Sequence, residues 1–281
     1  MSNLKYIFRI DRLEVSYTAP KEVLESLSEM AEGCFGEEYQ DNVKLVRVDS
    51  RNYKNEFEVY TISENGWQAY GLLQFGSPNP HRQYVYLSVL NERLYDGGLH
   101  LLMYIESVLG FEFLRVSKLD IALDANINLV RCFYRIWRAP EYSFVLLGHR
   151  TIEEMTDYVD EMVHISTGTR KNISKNRSFS LSNSENSLSL AGYNKSNEIT
   201  ATKKKYIADA TEFKKIYRLE VRMSSYKEVR KTLGQVTMND VDLYCRLTDE
   251  KTLLKLFIVT LSRLIRVKQG RKSYTLLECL I

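Results

Sequence analysis

Seven residues in the second half of the chain are of types and at spacings that suit metal-assisted nucleophilic chemistry. Two segments, Lys118-Leu119-Asp120-Ile121-Ala122-Leu123-Asp124 and Tyr217-Arg218-Leu219-Glu220-Val221-Arg222-Met223, alternate apolar and polar positions. Side chains alternate across a strand, so Leu119, Ile121 and Leu123 share a buried face while Asp120 and Asp124 share the other. In the second segment Arg218, Glu220 and Arg222 share the polar face. Carboxylates so placed are hard oxygen donors of the kind Mg²⁺ or Mn²⁺ prefers. Residues four apart on a strand lie ~13 Å from one another, so Asp120 and Asp124 cannot both touch one ion. Asp120 with Glu220 is the preferred pair, with Asp124 as the further candidate. The ordinary alternative is a set of surface ion pairs between acids and arginines.

A third segment, Leu188-Ser189-Leu190-Ala191-Gly192-Tyr193-Asn194-Lys195, puts Tyr193 and Lys195 on one polar face, away from the leucines. A tyrosine hydroxyl has a reference pKa of about 10 and is a poor nucleophile at neutral pH. A lysine or a metal-bound phosphate beside it would favour the phenolate or the charge that develops on attack. The rival reading is that Tyr193 is one of 19 tyrosines and only packs.

The elements that must position these groups can be read from periodicity. A strand is expected over 6–17, ended by Pro20, then an amphipathic helix over 21–32 with Val23, Leu24, Leu27 and Met30 on one stripe. Strands are expected at 43–49, 56–62, 67–75 and 82–90, and a helix at 98–109. The second half reads as a strand at 114–124, helices at 127–138 and 150–164, and a hairpin pairing 179–182 with 187–193 around Asn183-Ser184-Glu185-Asn186. A strand at 216–223 follows. The rest is expected to be helical: 237–266 has room for two helices, a helix-turn-helix reader or a packing cap, and 251–266 is the strongest helix in the chain. The expected fold class is α+β, with largely antiparallel sheets, packed helices and a helical C-terminal segment. The expected divisions are an N-terminal half (1–112), a catalytic half (113–228) and the C-terminal segment (229–281). Arg12-Leu13-Glu14-Val15 recurs as Arg218-Leu219-Glu220-Val221, which allows two related halves of which only the second is catalytic.

Composition narrows the classes. In 281 residues, 44% are apolar and 27% charged, with 4 Pro and 13 Gly, so the chain is globular and has little room for disordered linker. The net charge of +3 alone points to no partner. Its distribution says more: Arg170, Lys171, Lys175 and Arg177 form one basic cluster, Lys203, Lys204 and Lys205 a second, and Arg263, Arg266, Lys268, Arg271 and Lys272 a third. Such clusters can follow a phosphate backbone, although each alone is more often solvated surface. Cys34, Cys132, Cys245 and Cys279 are scattered with no CxxC pair, which argues for a reducing cytoplasmic setting, no disulfide framework and no zinc site. No stretch has the length and apolarity of a membrane span.

In order and spacing, the three chemical segments resemble the signature of the Rep_trans family of plasmid replication initiators and of the related filamentous-phage initiators. Members show an RLDLALD-like strand, a YxK…E segment and an LRxE(V/I) strand. The counterparts here are residues 118–124, Tyr193-Asn194-Lys195-Ser196-Asn197-Glu198, and residues 217–222. Lys118 stands where Arg is commoner, and 182–186 lacks the Gly-Ser-Arg-like element that often precedes the tyrosine. The resemblance covers roughly 114–225 and implies a site-specific nickase. Its tyrosine, matching Tyr193, would form a 5′-phosphotyrosyl link and leave a 3′-hydroxyl that primes rolling-circle synthesis, with Lys195 beside it. A divalent ion, Mg²⁺ or Mn²⁺, held by Asp120 and Glu220 would polarise the phosphate. Arg218, Arg222 and the first two basic clusters would contact DNA. Relaxases of some conjugative elements look similar. The tyrosine nickases that bind metal through a His-hydrophobe-His pair are disfavoured, since His81, His100, His149 and His164 form no such pair. The implied partners are origin DNA locally melted to single strand, a host helicase and a second copy of the chain, with no membrane. A non-catalytic DNA-binding protein, acting as origin-recognition factor or repressor, is the alternative.

Overall fold

The computed structural model describes residues 4–33, 37–38, 42–49, 51–79, 84–146, 178–183, 187–236 and 243–280. In chain order its elements are β1 (Tyr6–Thr18), α1 (Lys21–Gly33), β2 (Glu37–Glu38), β3 (Val43–Arg47), β4 (Asn55–Ser63), β5 (Gly66–Phe75), β6 (Val85–Val89), α2 (Asn91–Tyr95), a 3-10 turn (Gly98–His100) and α3 (Leu101–Leu109). There follow β7 (Glu112–Ala125), α4 (Leu129–Trp137), β8 (Ser143–Leu146), β9 (Phe179–Asn183), β10 (Leu188–Asn194), α5 (Lys195–Thr202), α6 (Lys205–Asp209) and β11 (Tyr217–Met223). The chain ends with α7 (Tyr226–Gln235), α8 (Leu243–Leu247), α9 (Glu250–Leu264), β12 (Ile265–Gln269), β13 (Lys272–Thr275) and α10 (Leu276–Leu280). The α+β class is as expected. The expected helix at 150–164 and the cluster Arg170, Lys171, Lys175 and Arg177 lie outside the described residues.

Two compact units divide the chain. One comprises Met1–Asp11, Asp120–Met238 and Arg246–Ile281, the other Arg12–Leu119 and Asn239–Cys245. The boundaries fall within two long strands, between Asp11 and Arg12 in β1 and between Leu119 and Asp120 in β7. The second unit carries the strand order β2-β3-β4-β5-β6-β1-β7, and every pair from β2 to β1 with a recorded register is antiparallel. The first carries β1-β7-β11-β10-β9 and a separate three-stranded sheet, β13-β12-β8.

One order of elements occurs twice. In the second unit, strand β1 and helix α1 lead to β4, β5 and β6, and β6 returns beside β1. In the first unit, strand β7 and helix α4 lead to β9, β10 and β11, and β11 returns beside β7. The counterpart of β1 is therefore β7. The short echo Arg12–Val15 and Arg218–Val221 falls on β1 and β11, which are not equivalent in this order, so it does not mark the repeat.

In the first unit the apolar face of the sheet is covered by two helices. Asn128 caps α4, its side chain accepting from Arg131 N at 2.9 Å, and the buried Phe133 stacks on Phe179 of β9 with ring centroids 3.9 Å apart. Asp249 caps α9 by accepting from Thr252 N at 2.9 Å. Leu253, Leu256, Phe257, Thr260, Leu261 and Leu264 are its buried stripe, and Phe257 meets Phe8 of β1 edge-on. The expected helix over 251–266 stops at Leu264. From Ile265 the pattern changes to alternation, with Ile265 and Val267 buried and Arg266 and Lys268 exposed, which is the period of a strand. The C-terminal segment is thus helical only in part, because β12 and β13 form a hairpin turned at Gly270 (φ 59°).

Candidate active site

Tyr193 sits on β10, a strand paired on one side with β9 and on the other with β11. The ladder to β11 runs through Tyr193 and that to β9 ends one residue before it, at Gly192, so the strand is a rigid platform for a reacting group. Its neighbour Gly192 lies opposite Phe179, and a Cβ there would fall 2.2 Å from the Phe179 ring. Only glycine allows this approach, so the residue before the tyrosine is dictated by packing on the apolar face.

The polar faces of β7, β10 and β11 bring the expected groups together. In register, Tyr193 stands opposite Arg218 and Ala191 opposite Glu220. The Tyr193 hydroxyl donates to Glu220 Oε2 at 2.8 Å, and Arg222 Nε donates to Glu220 Oε1 at 2.7 Å. Lys195 is the first residue of α5 and is almost wholly buried. Its ammonium lies 3.4 Å from the Tyr193 oxygen, 2.9 Å from Glu198 Oε1 and 5.5 Å from the Tyr193 ring centre. The start of α5 is tied to β11 by Ser196, whose N–H donates to Ile216 O and whose Oγ accepts from Ile216 N. Burial, then the charge of Glu220, hold the Tyr193 phenol far above its ordinary range, and the Arg218 charge opposes them. The nucleophile candidate is thus a neutral phenol at physiological pH.

Arg218 has no exposure and makes a bidentate pair with Asp124, also fully buried: Nε to Oδ1 and Nη2 to Oδ2, each at 2.7 Å. Its remaining Nη1 donates to Asp11 of β1. Asp124 is the partner of Arg218, both its oxygens accepting from one guanidinium in a pair with no exposure. One expectation changes as a result. Arg218 is not a contact for DNA, because it is sealed from the surface. Asp11 is a member of the network that sequence reasoning missed; its only signal was a charge on the alternating polar face of the first strand. Arg222, by contrast, keeps 43% of its side chain exposed and can meet a phosphate. Lys203 and Lys205 are exposed and Lys204 half-buried.

Asp120 and Glu220 are nearly buried, at 5% and 3% exposure, on neighbouring strands, and Asp120 and Arg222 lie close enough to interact electrostatically. Among the described residues no group of three or more His, Cys, Asp or Glu forms a metal cage. Two carboxylates are nonetheless the donor set that suits Mg²⁺ or Mn²⁺, ions that keep several waters and are completed by substrate phosphate. Around Tyr193 the carboxyl groups Asp120, Glu198 and Glu220 outnumber the basic groups Lys195 and Arg222, so a cation would offset an excess of negative charge. The residues present fit such an ion.

A rolling circle replication initiator protein from Geobacillus stearothermophilus aligns over 98% of this chain and 96% of its own, with a TM-score of 0.52 and 11% identity. This chain has the fold of a rolling-circle replication initiator. The Tle4-Tli4 complex aligns over 78% of the chain at 7% identity with a TM-score of 0.17, too low to bear on the fold. No family model and no curated protein sequence matches the chain.

Proposed function

We propose that this protein initiates rolling-circle replication by nicking and rejoining one DNA strand through a 5′-phosphotyrosyl link at Tyr193. The observation that carries the reading is the meeting of the strand-borne Tyr193 hydroxyl with Glu220 at 2.8 Å and Lys195 at 3.4 Å, on the fold of such an initiator. In this reading the Tyr193 oxygen attacks the phosphorus. A P–O(Tyr) bond forms as the P–O3′ bond breaks, and the departing oxygen takes up a proton to become the 3′-hydroxyl that primes synthesis. The phenolic proton leaves along the existing hydrogen bond to Glu220. Lys195, held by Glu198, faces the charge that develops on the phenolic and phosphoryl oxygens. Arg222 steers the phosphate from the exposed side. Rejoining runs the same exchange backwards, with the 3′-hydroxyl as nucleophile and the tyrosine as leaving group.

Asp120 and Glu220 would hold Mg²⁺ or Mn²⁺, which supplies Lewis-acid stabilisation of the phosphate when bound. The substrate is origin DNA locally melted to single strand, with a host helicase extending the opening and a second copy available for the second transfer. The test is a denaturing gel of protein incubated with labelled single-stranded oligonucleotides tiled across the encoding DNA, with Mn²⁺ or with EDTA. A covalent adduct that requires both Mn²⁺ and Tyr193 is expected. Tight binding without any adduct would instead mark a non-catalytic DNA-binding protein.

A further inference from the structure

A cavity of about 600 Å³ opens in the first unit between two short segments, residues 4–7 at the start of β1 and residues 209–213 between α6 and β11. Both segments run directly into the site. Two residues beyond the cavity, Arg9 donates to the carbonyl of Ala210, and two further on the Asp11 carboxylate accepts from Arg218, the residue opposite Tyr193. At ~3.3 Å per residue, Ile7 lies ~13 Å along β1 from Asp11, a few nucleotides of extended single strand away. The cavity lining combines aromatic surface (Tyr6, 44% exposed, and Phe213) with two carboxylates, Asp209 and Glu212. Its approaches are basic: Lys203, Lys204 and Lys205 lead into α6 on one side, and the exposed Lys214 and Lys215 follow Phe213 on the other. An exposed ion pair between Lys5 and Glu212, at 3.4 Å, joins the two segments, and such a pair yields easily to a ligand.

Resting on the reading of Tyr193 as a DNA nickase, we propose that this cavity is a base-binding subsite for a nucleotide flanking the scissile phosphate. The lysines hold the backbone and Tyr6 and Phe213 stack on the base. Carboxylates in the lining repel phosphate but accept hydrogen bonds from exocyclic amino groups. The subsite therefore takes adenine, cytosine or guanine in preference to thymine, which has no amino group. The cavity gives the lysine cluster at 203–205 a role as the phosphate contact of that same nucleotide.

The test uses the full chain with Tyr193→Phe, so that binding is read without chemistry, and the tightest-binding tile of the oligonucleotide series. Each nucleotide in turn is replaced by an abasic unit and the Kd measured by fluorescence anisotropy. One position is expected to lose about tenfold in affinity, and thymine there is expected to bind more weakly than the other bases. In Tyr193→Phe proteins also carrying Phe213→Ala or Tyr6→Ala, each first shown to unfold at the parent temperature, that positional loss should vanish. A flat abasic profile, or a profile unchanged in both variants, would overturn the subsite. Failure to bind any tile would overturn it together with the nickase reading, whereas an adduct formed by native protein alongside a flat profile would sink the subsite alone.

Discussion

At the scale of single residues, the polar face of β7 and β11 is two systems and not one. Glu220 meets Tyr193 and the half-buried Arg222, with Asp120 near Arg222, while Asp124 and Arg218 form a closed pair with Asp11 behind them. Removing one partner of a fully buried pair leaves an uncompensated charge, so Asp124→Asn or Arg218→Met should destabilise the protein by ~3–5 kcal/mol, read by urea unfolding. A loss below ~1 kcal/mol would show that Arg218 finds another partner. Gly192→Ala should be similarly damaging, since its Cβ meets the Phe179 ring, and should cost more than Ala191→Gly measured by the same unfolding curves. The raised phenol of Tyr193 also makes a statement about pH. A group whose folded pKa is above its unfolded value near 10 contributes stability below that pH and loses it as pH rises. Tyr17, Tyr70 and Tyr244 are raised in the same direction by burial. Stability should therefore fall steadily above about pH 10, and Tyr193→Phe should make that fall shallower; an unchanged alkaline slope in the variant would contradict the burial assigned to this phenol.

At the scale of elements, periodicity located the strands that carry the site, because each is an alternating run bounded by turn residues. The strand expected at 114–124 is Glu112–Ala125, that at 216–223 is Tyr217–Met223, and the hairpin expected from 179–182 and 187–193 is β9 with β10. What alternation could not show was which polar residues the fold would bury. Asp120, Asp124, Arg218 and Glu220 all sit on the polar face in the sequence, yet every one is buried. Burial here depends on long-range pairing, such as Asp11 from a strand over a hundred residues earlier. The helices α5 and α6 were missed because Lys195–Thr202 has almost no apolar stripe, with Lys195 as its buried residue. At the C-terminus an apolar helix runs without a break into an alternating strand, and the join at Ile265 is visible only as a change of period. The Asp249 cap of α9 accepts from both the backbone and the hydroxyl of Thr252. Asp249→Ala should lower stability by ~1 kcal/mol in thermal or urea unfolding, and no change would mean that α9 is held by its buried stripe alone.

At the scale of the whole molecule, one strand–helix–three-strand order is used twice and the candidate site lies in one copy. The helix start that carries Lys195, directly after the strand of Tyr193, has no counterpart among the described residues of the other copy. There β5 passes to β6 with no helix between them among the described residues. If the Tyr193 oxygen joins DNA, the bond itself can be found. Protein would be incubated with Mn²⁺ and the single-stranded tile that yields an adduct, digested with protease and nuclease, and the nucleotide-bearing peptide sequenced by tandem mass spectrometry. A phosphodiester remnant is expected on Tyr193 and on no other residue. A remnant on a different tyrosine, with Tyr193 recovered unmodified, would contradict that role for Tyr193.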